Sequence, residues 1–311
     1  MNVRDAYFSE IYNMTKDGAD IVVVSADLGA PSLDDFRRDF PHRFVNVGIA
    51  EQNLLAVAGG IALTGKYVVA YGLNPFPITR AFDQMRNLMG YMEIPMTVAA
   101  LNAGSCSAEC GYTHMPIEDM AMVRTLSPNV QIVNPSDEEI SKQIARRLIS
   151  EKKPVFLRFD KYIHGMTYEK HEIDFSKGFY STGENGGIVI VSNGIFIPKI
   201  KEMLDFWLKN NMKIKVIDCF SLPINEGAFL AEIVDSKLIV TIEDNMLIGG
   251  IGSMVLEILS DHSIVKPVKR WGLKFNKEIK DKFLNRDFWY EKIGLKQEQL
   301  HRELELLYKN L

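Results

Sequence analysis

Cysteine is scarce in this chain: Cys106, Cys110 and Cys219 are the only three in 311 residues, an odd number that suggests no disulfide framework. Cys106 and Cys110 stand in a C-x3-C spacing, but no second pair of metal ligands accompanies them, which argues against zinc. Basic runs are absent and the net charge is -4, so nucleic acid is not expected as a partner. No apolar run approaches the length needed to span a membrane, and Met1–Asp5 does not open a signal peptide. Internal repeats and low-complexity segments are missing too. A hydrophobic content of 47% is enough for two domains with substantial cores, and a cytoplasmic enzyme fits this balance.

Short apolar runs alternate with helical patterns along the chain. Helices are expected at Arg4–Met14, Thr79–Gly90, Ile117–Leu126 and Ser136–Ser150. Strands are expected at Ile21–Val24, Tyr67–Tyr71, Pro95–Ala100, Val130–Val133 and Pro154–Arg158, with a turn-rich loop at Asp27–Ser32. The polar stretch His164–Gly187, with four glycines, breaks the rhythm and reads as a connector. Alternation then restarts with Ile188–Val191, a helix around Ile197–Lys209, Ile214–Ile217, a helix near Asn225–Val234, Leu238–Ile242 and a helix from Gly250. The charged tail Asn276–Leu311 ends in a helical pattern. The expected class is α/β, with two domains (1–168 and 187–311, linker 169–186), each a mainly parallel sheet flanked by helices.

One stretch organises the rest: Arg43–Leu63, R-F-V-N-V-G-I-A-E-Q-N-L-L-A-V-A-G-G-I-A-L. Its first residues read as a strand end, Gly48 as the turn and Ile49 onward as a helix. Glu51 then lies in the first helical turn, where the macrodipole favours a carboxylate. Ile49, Ala50, Leu54, Leu55 and Val57 form an apolar collar that would raise its pKa by desolvation.

The string V-G-I-A-E-Q resembles the signature of the pyrimidine-binding domain of the transketolase superfamily of thiamine diphosphate enzymes. The resemblance implies that Glu51 meets N1′ of the cofactor's aminopyrimidine and helps activate the thiazolium carbon. It covers the chain from Arg4 to about Ser260. Ser25-Ala26-Asp27-Leu28 followed by Pro31-Ser32 resembles the family's S-A-D-L…P-S loop. Arg80-Ala81-Phe82-Asp83-Gln84 resembles R-A-Y-D-Q, a helix start that Asp83 and Gln84 would support. Phe76 matches the aromatic that stacks on the aminopyrimidine, and Asp27 and Ile49 are likewise implied to lie at the cofactor. Gly111-Tyr112-Thr113-His114-Met115-Pro116-Ile117-Glu118 resembles G-P-T-H-Q-P-I-E, whose histidine faces the substrate. His114 would hydrogen-bond substrate oxygens and relay protons.

In this superfamily a G-D-G…N signature on a separate domain holds the diphosphate and Mg²⁺ with hard oxygen ligands. No G-D-G occurs in this sequence. The resemblance therefore implies the C-terminal subunit of a split transketolase. It would share thiamine diphosphate and Mg²⁺ with an N-terminal subunit, in an α2β2 heterotetramer acting on small sugars.

Substrate positions depart from the family. Cys110 stands where an aspartate contacts the donor's hydroxyl, and a thiol is a weak acceptor. Asn102 replaces a histidine near the substrate phosphate. Arg4, Ser32 and Lys161 keep phosphate-compatible chemistry, with Lys161 a point charge where many members carry arginine. A modified, deoxy or nucleotide-linked sugar is the expected substrate. Asn245 replaces a family histidine in Glu243-Asp244-Asn245, and Gly249, Gly250 and Gly252 suit close packing at a helix start better than a dinucleotide site. Two other readings remain open here. One is the β subunit of a 2-oxo acid dehydrogenase E1 component, and the other is a noncatalytic stabilising subunit. Deoxyxylulose phosphate synthase shares V-G-I-A-E-Q but continues with His where Asn53 stands, and it is a single long chain.

Overall fold

The computed structural model describes residues 1–162, 168, 173–274 and 284–311. The first helix, α1 (Val3–Lys16), opens on Asn2, whose side chain accepts the Asp5 N–H and satisfies an orphan donor. Next, β1 (Ile21–Ser25) is buried along its whole length. The stretch Asp27–Ser32 is only partly the expected loop, because α2 (Pro31–Asp39) starts inside it. Proline suits a first helical turn, where its missing N–H has no partner to lose. Strand β2 (Phe44–Asn46) turns through Gly48 (φ 73°) into α3 (Glu51–Ala62), which begins two residues later than expected.

After β3 (Tyr67–Leu73), the expected single helix over Thr79–Gly90 is broken. The chain forms α4 (Phe76–Thr79), α5 (Phe82–Met85) and a π-helical turn at Arg86–Tyr91. Ala81 leaves helical angles (φ -118°, ψ 25°), and at that break Arg80 faces α3, where Glu51 supplies a counter-charge. The half closes with β4 (Met96–Leu101), α6 (Asp119–Arg124), β5 (Gln131–Val133), α7 (Glu138–Glu151) and β6 (Val155–Phe159).

Of the stretch 164–187 read as a connector, residues 164–167 and 169–172 lie outside the described residues. Its end is a strand, β7 (Tyr180–Gly183), inside the expected linker 169–186. A half-exposed polar edge strand has no apolar alternation to betray it. Then come β8 (Ile188–Ser192), α8 (Phe196–Lys209), β9 (Ile214–Asp218), β10 (Ser221–Leu222), α9 (Glu226–Ile233) and β11 (Leu238–Met246). They are followed by α10 (Ile251–Asp261), β12 (Val268–Leu273), α11 (Arg286–Ile293) and α12 (Gln297–Lys309). Residues 276–283 of the tail lie outside the described residues.

The first sheet has the order β10-β5-β6-β4-β3-β1-β2 and the second β12-β11-β8-β9-β7. All pairings are parallel except β10 on β5 and β7 on β9. Parallel strands are covered on both faces, which is why β1, β3 and β4 read as continuous apolar runs. Helices α1 and α7 cover one face of the first sheet, where Tyr7, Phe8, Tyr71 and Phe159 meet ring to ring. The other face carries Leu54, Leu55 and Ala58 of α3, in an apolar cluster that continues to α10 of the second half. Among the described residues no helix is long and apolar enough to cross a membrane.

Candidate active site

Strand order in the first sheet reverses between β1 and β3, and the crevice beyond the carboxyl ends at such a point is where α/β sheets take ligands. The loops that leave β1, β2, β3, β4 and β6 carry Asp27, Glu51, Phe76, His114 and Lys161 respectively. One end of one sheet thus gathers residues spread over more than a hundred positions.

Asp27 adopts a left-handed conformation (φ 53°) and exchanges hydrogen bonds with Asn46: Asp27 N–H donates to Asn46 Oδ1 at 3.1 Å, and Asn46 Nδ2 donates to Asp27 Oδ1 at 3.0 Å. The same Asn46 oxygen accepts the Gly48 N–H at 3.0 Å, fixing the turn that starts α3. Glu51 is the first residue of that helix and is 5% exposed. The apolar collar expected around it is incomplete. Leu54 and Leu55 are buried, but Ile49 is 74% exposed and a cation stands on the open side.

That cation is Arg80, whose Nη1 donates to both Glu51 oxygens, at 3.2 and 3.1 Å. Its guanidinium also lies 4.0 Å from the centre of the Phe76 ring. Phe76 in turn meets His114 edge-on, with ring centres 5.3 Å apart at 86°. Thr113 Oγ1 and His114 Nδ1 are 2.9 Å apart, which orients the imidazole. Glu51, Phe76 and His114 are therefore brought together as the motifs implied, with Arg80 as the link that sequence reasoning left without a role. Spacing could have found it: positions 76 and 80 are one helical turn apart.

Further out, the segment after β4 holds Asn102 and Cys110. Asn102 is buried in a left-handed conformation (φ 78°), and its Oδ1 has no hydrogen-bond partner among the described residues. Cys110 is an exposed free thiol. Lys161 Nζ lies 2.5 Å from Glu109 Oε1 and 3.3 Å from Ser107 Oγ. Burial works to lower the Lys161 pKa, but the Glu109 carboxylate holds it above its usual value. Arg4 and Ser32 meet through a residue not anticipated, Asp5. Arg4 donates to both its oxygens at 3.1 and 2.9 Å, and Ser32 Oγ donates at 2.9 Å. These two do not join Lys161, which follows β6 with β3 and β4 between it and β1.

In the second half, Glu243 accepts N–H bonds from Ile251 (2.7 Å) and Gly252 (3.1 Å) at the start of α10, and Asn245 Nδ2 donates to it at 2.6 Å. Burial pushes the Glu243 carboxyl up to about 7 against these bonds. A Cβ at residue 250 would lie 1.9 Å from Glu243 Oε2, so the glycines serve close packing and Asn245 serves the cap.

Such a fold and site define a class, an α/β enzyme half whose switch point offers a buried carboxylate and an aromatic ring to a flat nitrogen-rich group. Residues 1–164 match the family model for the transketolase pyrimidine binding domain, and residues 182–283 that for the transketolase C-terminal domain. A putative transketolase C-terminal section from Methanocaldococcus jannaschii is 30% identical over 279 residues, 87% of this chain and 86% of its own length. One of the two subunits of an apulose-4-phosphate transketolase from Actinobacillus succinogenes is 32% identical over 265 residues, 83% of each chain. A solved structure described as a split gene transketolase, inactive beta4 tetramer, superposes with a TM-score of 0.84 at 29% identity, covering 99% of this chain and 98% of that one. The chain belongs to the transketolase family, as the C-terminal subunit of a split transketolase that depends on thiamine diphosphate.

The residues present fit the aminopyrimidine of that cofactor. Arg80 presents a planar, nitrogen-rich group, held in its plane by the Glu51 oxygens and on its face by the Phe76 ring. An aminopyrimidine asks for the same two contacts, and the Arg80 side chain, half exposed, can turn out to solvent.

Proposed function

We propose that this subunit transfers a two-carbon ketol unit from a ketose donor to an aldehyde acceptor, with its active site completed by an N-terminal subunit. Thiamine diphosphate supplies the carbon–carbon bond chemistry when bound. The observation that carries the reading is the joint grip of Glu51 and Phe76 on one planar group. Glu51 holds a proton at the pyrimidine N1′, Phe76 stacks on that ring, and Asp27 and Ile49 border it. His114 donates hydrogen bonds to substrate oxygens.

The diphosphate and Mg²⁺ fall to the partner subunit. An α2β2 assembly is supported by the apolar side chains left open near the site, Ile49 (74%), Leu63 (66%), Tyr91 (66%) and Met92 (57%). The substrate is a small sugar other than the ordinary ketose phosphates. Two of the groups suited to a phosphate, Arg4 and Lys161, are already paired with Asp5 and Glu109, and Cys110 offers no carboxylate to a donor hydroxyl. A cytoplasmic setting is supported by three unbridged cysteines.

Glu51→Gln in the reconstituted two-subunit enzyme tests the core of this reading. Turnover should fall by about 10²–10⁴, the usual worth of a positioned proton donor. Calorimetry should still detect thiamine diphosphate with Mg²⁺ bound to the complex and not to this chain alone. Unchanged turnover would favour a stabilising, noncatalytic role instead.

A further inference from the structure

The segment Asn102–His114, which bears the proposed substrate contacts, is gripped from the second half of the chain. Asp244, in β11, accepts from Ser105 N–H at 3.1 Å and from Ser105 Oγ at 2.7 Å. The approach requires glycine at 104: φ is +55°, and a Cβ there would lie 1.9 Å from the Asp244 carbonyl oxygen. On the other side Asp160, just after β6, accepts the Tyr162 N–H at 2.9 Å and lies 3.5 Å from the Cys106 thiol.

Arg286, the first residue of α11, joins these two carboxylates. Its Nη2 donates to Asp160 Oδ2 at 2.5 Å and lies 3.9 Å from Asp244 Oδ2, with all three side chains below 10% exposure. One guanidinium between two buried carboxylates is the counter-charge that lets both stay in place. One turn further along the same helix, the Trp289 ring meets Tyr112 edge-on at 5.4 Å and 89°. Helix α11 thus serves both ends of the segment, through the carboxylates that hold Ser105 and Cys106 and at Tyr112, two residues before His114. It lies beyond residues 182–283, the span matched by the C-terminal family model.

We propose that Arg286 is a positioning residue for sugar recognition, acting with Trp289 to set the place of His114, Cys110 and Asn102. The proposal rests on the reading of His114 as a substrate contact. Displacing such contacts weakens productive binding without touching Glu51 or Phe76, which stand on α3 and α4.

The test uses the two-subunit enzyme with hydroxypyruvate, the smallest 2-keto acid that carries the ketol unit, and glycolaldehyde as acceptor. Arg286→Lys and Tyr112→Leu should each raise the KM for donor by about tenfold or more. The fall in kcat should be smaller, and calorimetric affinity for thiamine diphosphate unchanged. Arg286→Met should be worse than Arg286→Lys, and if it does not fold, the other two variants decide. An unaltered KM in both, while His114→Ala is impaired, overturns the proposal. So does a loss of cofactor affinity in step with the KM, which would mark a general packing role. A silent His114→Ala would instead overturn the reading of His114 itself.

Discussion

Asp119 and Arg158 form an ion pair with both side chains at 1% exposure or less, and removing either partner should have unequal effects. Asp119 opens α6, just after the segment that carries His114. Its Oδ2 accepts from Arg158 Nε at 2.8 Å and from Asn74 Nδ2 at 2.6 Å, and its Oδ1 accepts the Met120 N–H at 2.6 Å. Asn74 precedes Phe76 by two residues, so this carboxylate ties both site loops to β6. Arg158 has less to fall back on, because its Nη2 lacks a partner among the described residues. Asp119→Leu would strand a buried guanidinium, at about 3–5 kcal/mol, and an amide, at about 1–3 kcal/mol. Arg158→Met leaves the Asp119 carboxylate two donors, so its cost should sit at or below the lower end of that ion-pair range. Against a total stability of about 5–15 kcal/mol, the first change threatens folding outright. The double variant Asp119→Leu, Arg158→Met should cost clearly less than the two single changes summed, since no charge is left behind. Urea unfolding followed by circular dichroism reads these costs from midpoints at constant slope. The reasoning fails if Arg158→Met costs as much as Asp119→Leu, or if the double variant costs the full sum.

Other tests follow from the site and from a buried acid. Cys110→Asp supplies the missing carboxylate, and a hydrogen bond to a charged acceptor is worth about 1.5–3 kcal/mol. Preference should therefore move toward ordinary ketose phosphate donors, and competition between donors showing no such shift would count against the modified-sugar reading. Burial pushes the Asp218 carboxyl up to about 7, against hydrogen bonds from Ser136 (2.5 Å) and Tyr168 (2.6 Å). An unfolded aspartate titrates near about 3.9, so from there to about 7 the folded chain holds a proton that the unfolded chain has lost. Stability from this group is complete at the acid end, falls as pH rises through that window and is level above it. Asp218→Asn should flatten part of the fall, Glu243 supplying the rest. Melting temperatures measured from pH 5 to 8 with the same slope in both proteins would refute it.

The fold was legible where burial imposes a simple pattern. Strands such as β3 and β8, covered on both faces, are apolar runs bounded by turns, and their places matched within two residues at either end. Pattern failed where the partner lies far along the chain. Asp244 and Arg286 reach Ser105 and Asp160 across 139 and 126 positions, and nothing local in α11 announces it. Arg80 was visible as a letter in a motif, but its link from Glu51 to Phe76 depends on the helix breaking at Ala81. The helix α2 was overlooked although Pro31-Ser32 is a good helix start, because glycine and aspartate just before it spoke for a loop.

Strand β10 is two residues long, yet it changes what the first sheet presents to its surroundings. Paired antiparallel with β5, with Leu222 opposite Ile132, it occupies the row of N–H and C=O groups that an edge strand otherwise offers to other molecules. The second half of the chain therefore acts as the stopper of the first. Cut off before Ser221, the pyrimidine-binding half would carry an open edge beside the apolar side chains of Val130 and Ile132, which are buried in the whole chain. Such a fragment is built to aggregate through that edge, and the two halves are safest made as one polypeptide.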